Sequence, residues 1–320
     1  MYYKTLLLLL ILIFNILPLS AHRQKIIESN GMELWTETYG KPENTPLLLI
    51  AGGASQAIMW PHDFCKSLAK KGFYVIRYDH RDVGLSTAVD YQKKPYTIRD
   101  MTRDAIGVLD HYNIQKAHIV GLSMGGQIAQ FLGAYFPERA SSLTLMSTST
   151  TFEPLGSVFE GKTCSSLLSP PEQAYITWAK DYFTNMPTYS EEKKKEEFLK
   201  GWQVCNGRNV VFDKDYYVQF MKQHFARSIH PENVVNHVSA IKASYEDHRK
   251  AVLLIKLPTL IIHGRKDPIF PIDHGEHLHQ SIPGSQLIIR EDMGHLIPPT
   301  DFGDIVEAIA SHGKVGGRNL

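Results

Sequence analysis

The chain has 320 residues, 43% of them hydrophobic and 21% charged, enough for one large α/β domain or a domain carrying an insertion. Its 34 basic and 33 acidic side chains nearly cancel. No field of one sign is therefore available to gather nucleic acid or an anionic membrane surface, and neither is expected as a partner.

The first stretch, "MYYKTLLLLLILIFNILPLSA", places one lysine ahead of an apolar run from Leu6 to Phe14 that fades through Asn15 and Pro18. The run is shorter than the roughly twenty apolar residues of a bilayer span. With Ser20 and Ala21 at its end it reads as a signal peptide over residues 1–21. An exported protein, secreted or periplasmic, is expected, with no stable membrane span after cleavage; a retained anchor is the rival. Leu19 stands where a small residue is preferred for cleavage after Ala21, so the cleavage point stays open. Three cysteines, Cys65, Cys164 and Cys205, make an odd count. A bridge between Cys164 and Cys205 and three unpaired, buried thiols are both compatible with it.

Two short strand-like pieces, "KIIES" and "ELWTETYG", lead to "PLLLIAGG" at 46–53, an apolar run ended by glycines that suits a strand buried on both faces. A helix is expected from about Pro61 to Lys71, then a second buried strand, "FYVIRYD", and the loop "HRDVGLST". A periodic helix near Ile98 to Tyr112, the strand "KAHIVG", the helix "MGGQIAQFLGAYF" stopped by Pro137, and the strand "SSLTLMSTS" follow. Alternation of this kind predicts right-handed crossovers and a mostly parallel sheet with helices on both faces. From 150 to 251 the chain turns polar, aromatic-rich and helix-prone, including "SEEKKKEEFLKGW", whose charges suit a solvated helix face. Strands resume with "LPTLIIHG" and "SQLIIRE", and a closing helix is expected near Asp301 to His312. The division is thus a core of 22–149 and 252–313, a helical insertion at 150–251, and a flexible tail at 314–320.

Within "HIVGLSMGGQIAQFL", Ser123 stands between Gly121 and Gly125 where a buried strand gives way to a helix. The pattern G-x-S-x-G on such a turn displays a serine and offers the next backbone N–H, that of Met124, at a helix N-terminus where negative charge is favoured. A serine hydroxyl needs a base to take its proton and donors for the oxyanion that its attack creates. One histidine of fifteen, His295 in "REDMGHLIPP", follows the last strand and is placed as the base, with Gly294 giving its loop freedom. Asp267 in "LIIHGRKDPIFP" follows the strand before and is placed as the carboxylate that orients the imidazole. The second oxyanion donor is assigned to the N–H of Gly53 in "IAGGAS", where glycine lets the backbone approach substrate. Gly52 and Trp60 are assigned to the substrate pocket. Met124, Phe152, Trp178, Phe183 and Tyr217 are further candidates for its apolar wall.

The motifs "ELWTETYG", "LLLIAGGASQAIMWP", "VIRYDHRDVGLST", "GLSMGG", "KDPIFP" and "MGHLIP" together resemble the α/β-hydrolase superfamily, and within it the aclacinomycin methylesterase type. The resemblance implies an α/β-hydrolase fold with a helical lid, Ser123 as nucleophile, Asp267 and His295 completing the triad, and Gly53 with Met124 as oxyanion donors. It implies a cofactor-free, metal-free carboxylic ester hydrolase whose partner is a small-molecule ester. Many members carry a histidine before the oxyanion glycine where this chain has Ala51, and Asp82 replaces a glycine in "DHRDVGLS". The alternatives are an aminopeptidase of the same fold, of the proline iminopeptidase type, and a non-catalytic small-molecule-binding homologue. Dehalogenases and epoxide hydrolases place aspartate at the elbow, so Ser123 counts against them. Neither the natural ester nor the oligomeric state is legible in the sequence.

Two other groupings are read as structural. Asp79 and Arg81 are expected to form an ion pair bracing the loop beside the site. His274, His277 and His279 in "DHGEHLHQ" lack a matching carboxylate or cysteine motif, and no metal is assigned to them.

Overall fold

The apolar runs of the sequence become the strands of one sheet. The computed structural model describes residues 23–164 and 166–316; the expected signal peptide lies outside them. The strands are β1 (Arg23–Ser29), β2 (Met32–Tyr39), β3 (Thr45–Ile50), β4 (Phe73–Tyr78), β5 (Ala117–Leu122), β6 (Ala140–Met146), β7 (Thr259–Gly264) and β8 (Gln286–Arg290). They lie in the order β1-β2-β4-β3-β5-β6-β7-β8. The first two are antiparallel additions, and every pair from β4 to β8 is parallel. A parallel sheet needs helices on both faces, and β4, β5 and β7 are accordingly buried at every residue.

Strand periodicity divides the core in two. Leu48, Ile50, Ile119, Leu143 and Leu145 point to one face, packed by α2 (Ile98–His111) and α3 (Met124–Tyr135) through Met101, Ile128 and Phe131. Leu47, Leu49, Val120, Leu122 and Met146 point to the other, packed by α1 (His62–Lys70) and α11 (Phe302–Gly316) through Phe64, Leu68, Ile305 and Ile309. Helix α2 starts at a reciprocal capping box between Thr97 and Asp100.

Between β6 and β7 the chain forms α4 (Glu153–Glu160), α5 (Gln173–Asn185), α6 (Glu191–Cys205), α7 (Lys214–Arg227), α8 (Val235–Lys242) and α9 (Tyr245–Val252), the helical lid. Helix α10 (Ile272–Ser281) connects β7 to β8. Among the described residues no helix is long and apolar enough to cross a membrane.

Two details differ from the sequence reading, and one choice that it left open, the state of the thiols, is decided. Helix α11 continues to Gly316, beyond the point where a tail was expected to begin. All three cysteines are free, Cys65 buried and Cys164 and Cys205 partly so. In "SEEKKKEEFLKGW" the face is not wholly solvated, because Glu197 is buried between Lys193 and Lys200.

Candidate active site

Because β3 and β5 through β8 run parallel, their carboxyl ends share one edge of the sheet, where ligands of such sheets bind. Ser123 leaves the end of β5 with φ 56° and ψ −120°, a conformation that side chains rarely adopt. The strain, about 1–3 kcal/mol for such a residue, is held by its surroundings. The Ser123 N–H donates to the Met146 carbonyl at 2.9 Å, and the Ser123 carbonyl accepts from Thr148 Oγ1 at 2.9 Å. The flanking glycines are required by contact. A Cβ on Gly121 would lie 2.1 Å from the Gly125 carbonyl oxygen, and one on Gly125 would lie 2.2 Å from that of Ile50. Ser123 is partly exposed while Leu122 and Met124 are buried, so the turn displays the hydroxyl alone.

Asp267 follows β7 and is almost fully buried. Its Oδ1 accepts the N–H groups of Ile269 at 2.8 Å and Phe270 at 2.9 Å, and its Oδ2 accepts His295 Nδ1–H at 2.9 Å. Burial alone would raise the carboxyl pKa. The His295 charge and hydrogen bond, with His263 and the Phe270 N–H, outweigh burial and hold it below the usual carboxylate value. Two imidazoles therefore flank Asp267, with His263 Nε2 3.7 Å from Oδ2. His263 is committed elsewhere: its Nε2–H donates to the Phe270 carbonyl at 2.8 Å, and Gly275 of α10 packs on its ring. His295 is the one on the loop after β8. Its Nε2 and the Ser123 hydroxyl have no hydrogen-bond partner among the described residues, so the serine–imidazole bond is not formed in this structure. In unliganded hydrolases that bond commonly tightens only around substrate.

Gly294 has a different reason from the one expected. A Cβ there would come 2.2 Å from the Asn206 carbonyl oxygen, and His295 N–H donates to the Cys205 carbonyl at 2.9 Å. The end of lid helix α6 crosses this loop so closely that only glycine fits.

Across the edge, the loop 51–55 after β3 approaches the elbow. A Cβ on Gly52 would lie 3.4 Å from Ser123 Cβ, and one on Gly53 3.5 Å from Met124 Cβ. The Gly52 N–H is taken by Met59 Sδ at 3.1 Å and the Ala54 N–H by His237 Nδ1 at 3.0 Å. Among the described residues the N–H groups of Gly53 and Met124 meet no acceptor. Two unpaired donors thus sit beside the displayed hydroxyl, as an oxyanion would need.

Trp60 is buried and lines a cavity of about 20 Å³ with Leu122, Trp202, Tyr217, Phe220 and Leu296. Trp60 Nε1 and Tyr217 OH have no partner among the described residues. A larger cavity of about 370 Å³ opens beside Trp35, Arg77 and Arg227, and Ser123, Asp267 and His295 do not line it. Of the other wall candidates, Phe152 packs on Phe270, 4.6 Å between ring centroids, and Phe270 on His295 at 5.7 Å. Trp178 and Phe183 pack with Tyr182 inside the lid instead.

The ion pair expected between Asp79 and Arg81 does not form. Arg81 grips Asp104 through two bonds of 2.7 Å. Asp79 accepts the Ala57 N–H at 2.7 Å and pairs with Arg227 of α7 at 2.6 Å, joining the loop to the lid. His274, His277 and His279 bond separately to Ser149, Thr150 and Ser285. Sequence reasoning missed His80, Thr148, His237 and His263; the first three acquire their roles from partners 29, 25 and 183 positions away, and His263 from the turn after its own strand.

Residues 45–302 match the family described as alpha/beta hydrolase fold. The chain belongs to that family. It is 33% identical to the rhodomycin D methylesterase DauP of Streptomyces sp. (strain C5), over 90% of this chain and 97% of that protein. Identity to the rhodomycin D methylesterase DnrP of Streptomyces peucetius is also 33%, with the same coverage. Among solved structures, the esterase EaEST of Exiguobacterium antarcticum superposes with a TM-score of 0.72 at 21% identity, over 91% of this chain and 100% of that one. At that identity the likeness speaks for the fold alone. The protein is a hydrolase related to the methylesterases.

Proposed function

We propose that the protein cleaves carboxylic esters of small alcohols through an acyl-enzyme on Ser123. The observation that carries this reading is the Asp267–His295 bond of 2.9 Å on the loop edge that also carries a strained, displayed serine and two unpaired amides. Asp267 holds the imidazole with Nδ1–H toward itself, which leaves Nε2 bare as a base. His295 Nε2 takes the Ser123 proton as Oγ bonds to the ester carbonyl carbon, and the N–H groups of Gly53 and Met124 receive the oxyanion. The carbon–alkoxy bond then breaks, and the alcohol departs with the proton from His295. Water repeats the sequence on the acyl-enzyme, releasing the acid and restoring Ser123.

The small alcohol is supported by the cavity of about 20 Å³ lined by Leu122 and Leu296, the chain neighbours of Ser123 and His295, which themselves do not line it; it has room for a group of methyl size. The relatives' printed names, which concern a methyl ester, point the same way. The export signal at 1–21 is part of the proposal, and N-terminal sequencing of the protein from culture medium or periplasm tests it.

A fluorophosphonate probe should label wild-type protein and not Ser123→Ala. A set of esters with one acid and alcohols from methyl to butyl should be cleaved with kcat/KM falling as the alcohol lengthens. An unlabelled wild type would favour a binding module, and a preference for butyl would remove the small-alcohol assignment.

A further inference from the structure

The oxyanion loop contains two consecutive glycines, and the peptide between them could turn over at little cost, since glycine occupies either sign of φ readily. The orientation of that peptide decides whether the Gly53 N–H faces the elbow. Three neighbouring groups determine it. The Ala51 carbonyl accepts His80 Nε2–H at 3.0 Å, and the Gly52 carbonyl accepts the Ser55 N–H at 3.3 Å. The next peptide is held through the Ala54 N–H, which donates to His237 Nδ1 at 3.0 Å. Ala54 itself has φ 57°, a left-handed conformation that an unsupported alanine avoids.

His80 and Ser55 belong to the core, whereas His237 comes from lid helix α8, 183 positions along the chain. The histidine is almost fully buried, and its two nitrogens have opposite duties. Nε2–H donates to the Arg81 carbonyl at 2.8 Å, which leaves Nδ1 as the acceptor for Ala54. One turn further along α8, Ile241 lies over Gly53, 3.9 Å from where a Cβ would stand. The helix is seated on the loop by both residues.

We infer that His237 is a positioning residue. By accepting the Ala54 N–H it keeps the Gly53 amide aimed at the oxyanion, so the hole is complete only when α8 of the lid is docked. Lid closure and transition-state stabilisation are then one event, carried by one hydrogen bond. This rests on the reading of Gly53 as an oxyanion donor.

The two bonds of His237 can be separated. Asparagine places its amide oxygen about where Nδ1 stands and can accept from Ala54 while losing Arg81. Glutamine reaches the Nε2 position and keeps Arg81 while losing Ala54. With p-nitrophenyl acetate, His237→Ala should lower kcat about ten- to a hundredfold, short of the hundred- to thousandfold typical of deleting a donor outright, with KM within about twofold. His237→Gln should fall with it, and His237→Asn should stay within about threefold of wild type. Inhibition by phenylboronic acid, whose serine adduct is tetrahedral, should weaken in step with kcat. Melting temperatures of all four proteins separate this from unfolding. If kcat and boronate affinity instead follow the melting temperature, with the Asn and Gln variants alike, the inference fails and His237 merely attaches the lid. A wild type without ester turnover would strike the underlying reading of Ser123, a result distinguishable from either.

Discussion

At the carboxyl edge of the sheet, the strands that carry Ser123 and Asp267 have no exposed residue, whereas helix α6 of the lid buries only Glu197 and Gly201. The first region is held by backbone contacts that tolerate no added atom, at Gly121, Gly125 and Gly264. The second is held by ring packing, as where Trp202 meets Phe220 at 4.5 Å and Tyr217 at 5.5 Å, and by ion pairs on its surface. Reacting groups must be placed within about half an ångström, and close-packed backbone supplies that. Aromatic surfaces can slide with little loss, which suits a region that shapes the pocket. The exceptions are informative: Cys205 and His237 reach from the lid to the loops of the candidate site through directed hydrogen bonds.

If the division holds, substitutions at the edge should damage the chemistry and those in the lid should alter selectivity. Ser123→Ala should reduce kcat at least ten-thousandfold, on the order seen when a nucleophile is removed. Ser123→Gly should be equally inactive and more stable by about 1 kcal/mol, since it releases the backbone strain. Urea titration measures the gain, and a loss would mean that the turn is not strained.

Gly125→Ala comes next. Its Cβ would meet the Ile50 carbonyl oxygen at 2.2 Å, so strand or elbow must shift. A displacement near 1 Å costs about a hundredfold in rate, and steady-state kinetics should show it mainly in kcat.

Acid sensitivity should also belong to the core and its contacts. Burial lowers the pKa of His80, His118 and His248 to about 3 in each case. The unfolded imidazoles titrate near about 6.5. Below that value the unfolded chain binds protons that the folded one refuses. Their contribution is therefore complete above it and is lost as pH falls toward 3, at roughly 1.4 kcal/mol per pH unit for each group. Asp267 contributes with the same sign at lower pH: its pKa is depressed on folding, so its share is present above the usual carboxylate value and lost only beneath it. Melting temperature should decline from about pH 6.5 downward. Stability constant to pH 4.5 would mean that these rings accept protons in place.

Within the lid, Trp202→Ala should enlarge the cavity beside Leu296 and change the ratio of kcat/KM for butyl and methyl esters by about tenfold, the scale of a pocket methylene or two. An unchanged ratio would remove α6 from the pocket. Smallest of all, Lys193→Ala breaks exposed ends of the ion pairs with Glu196 and Glu197 and should leave activity and melting temperature within experimental scatter.

Much of this arrangement was legible in one dimension. Apolar runs mark the buried strands before Ser123 and Asp267, and the partly exposed β8 precedes His295, in the order that a parallel sheet brings to one edge. Gly121 and Gly125 were readable because backbone collision at a tight turn is a local matter. The pairing of charges was not. Arg81 stands two residues from Asp79 and bonds Asp104 instead, while Asp79 finds Arg227, 148 positions away. Residues two apart share a side only while the strand continues, and β4 ends at Tyr78, so the turn that follows leaves the pairing to partners from elsewhere in the chain.

Gly294 was recognised and given the wrong reason, because the end of helix α6 that crosses it at Asn206 is not a neighbour in sequence. His295 was placed by loop position alone, and only the packing of Gly275 and the Phe270 carbonyl explains why His263, the other ring beside Asp267, is captive.

The sequence by itself determined the sheet, the turn that displays the serine and the loops from which its partners come, since these follow from short-range periodicity and sterics. Tertiary structure alone decided which donors remain unpaired among the described residues, which imidazole beside Asp267 is captive and which lid groups bond the loop after β3. Those properties depend on what each polar group finds at about 3 Å, and for His237 and Ala54 that partner is 183 positions away in the chain.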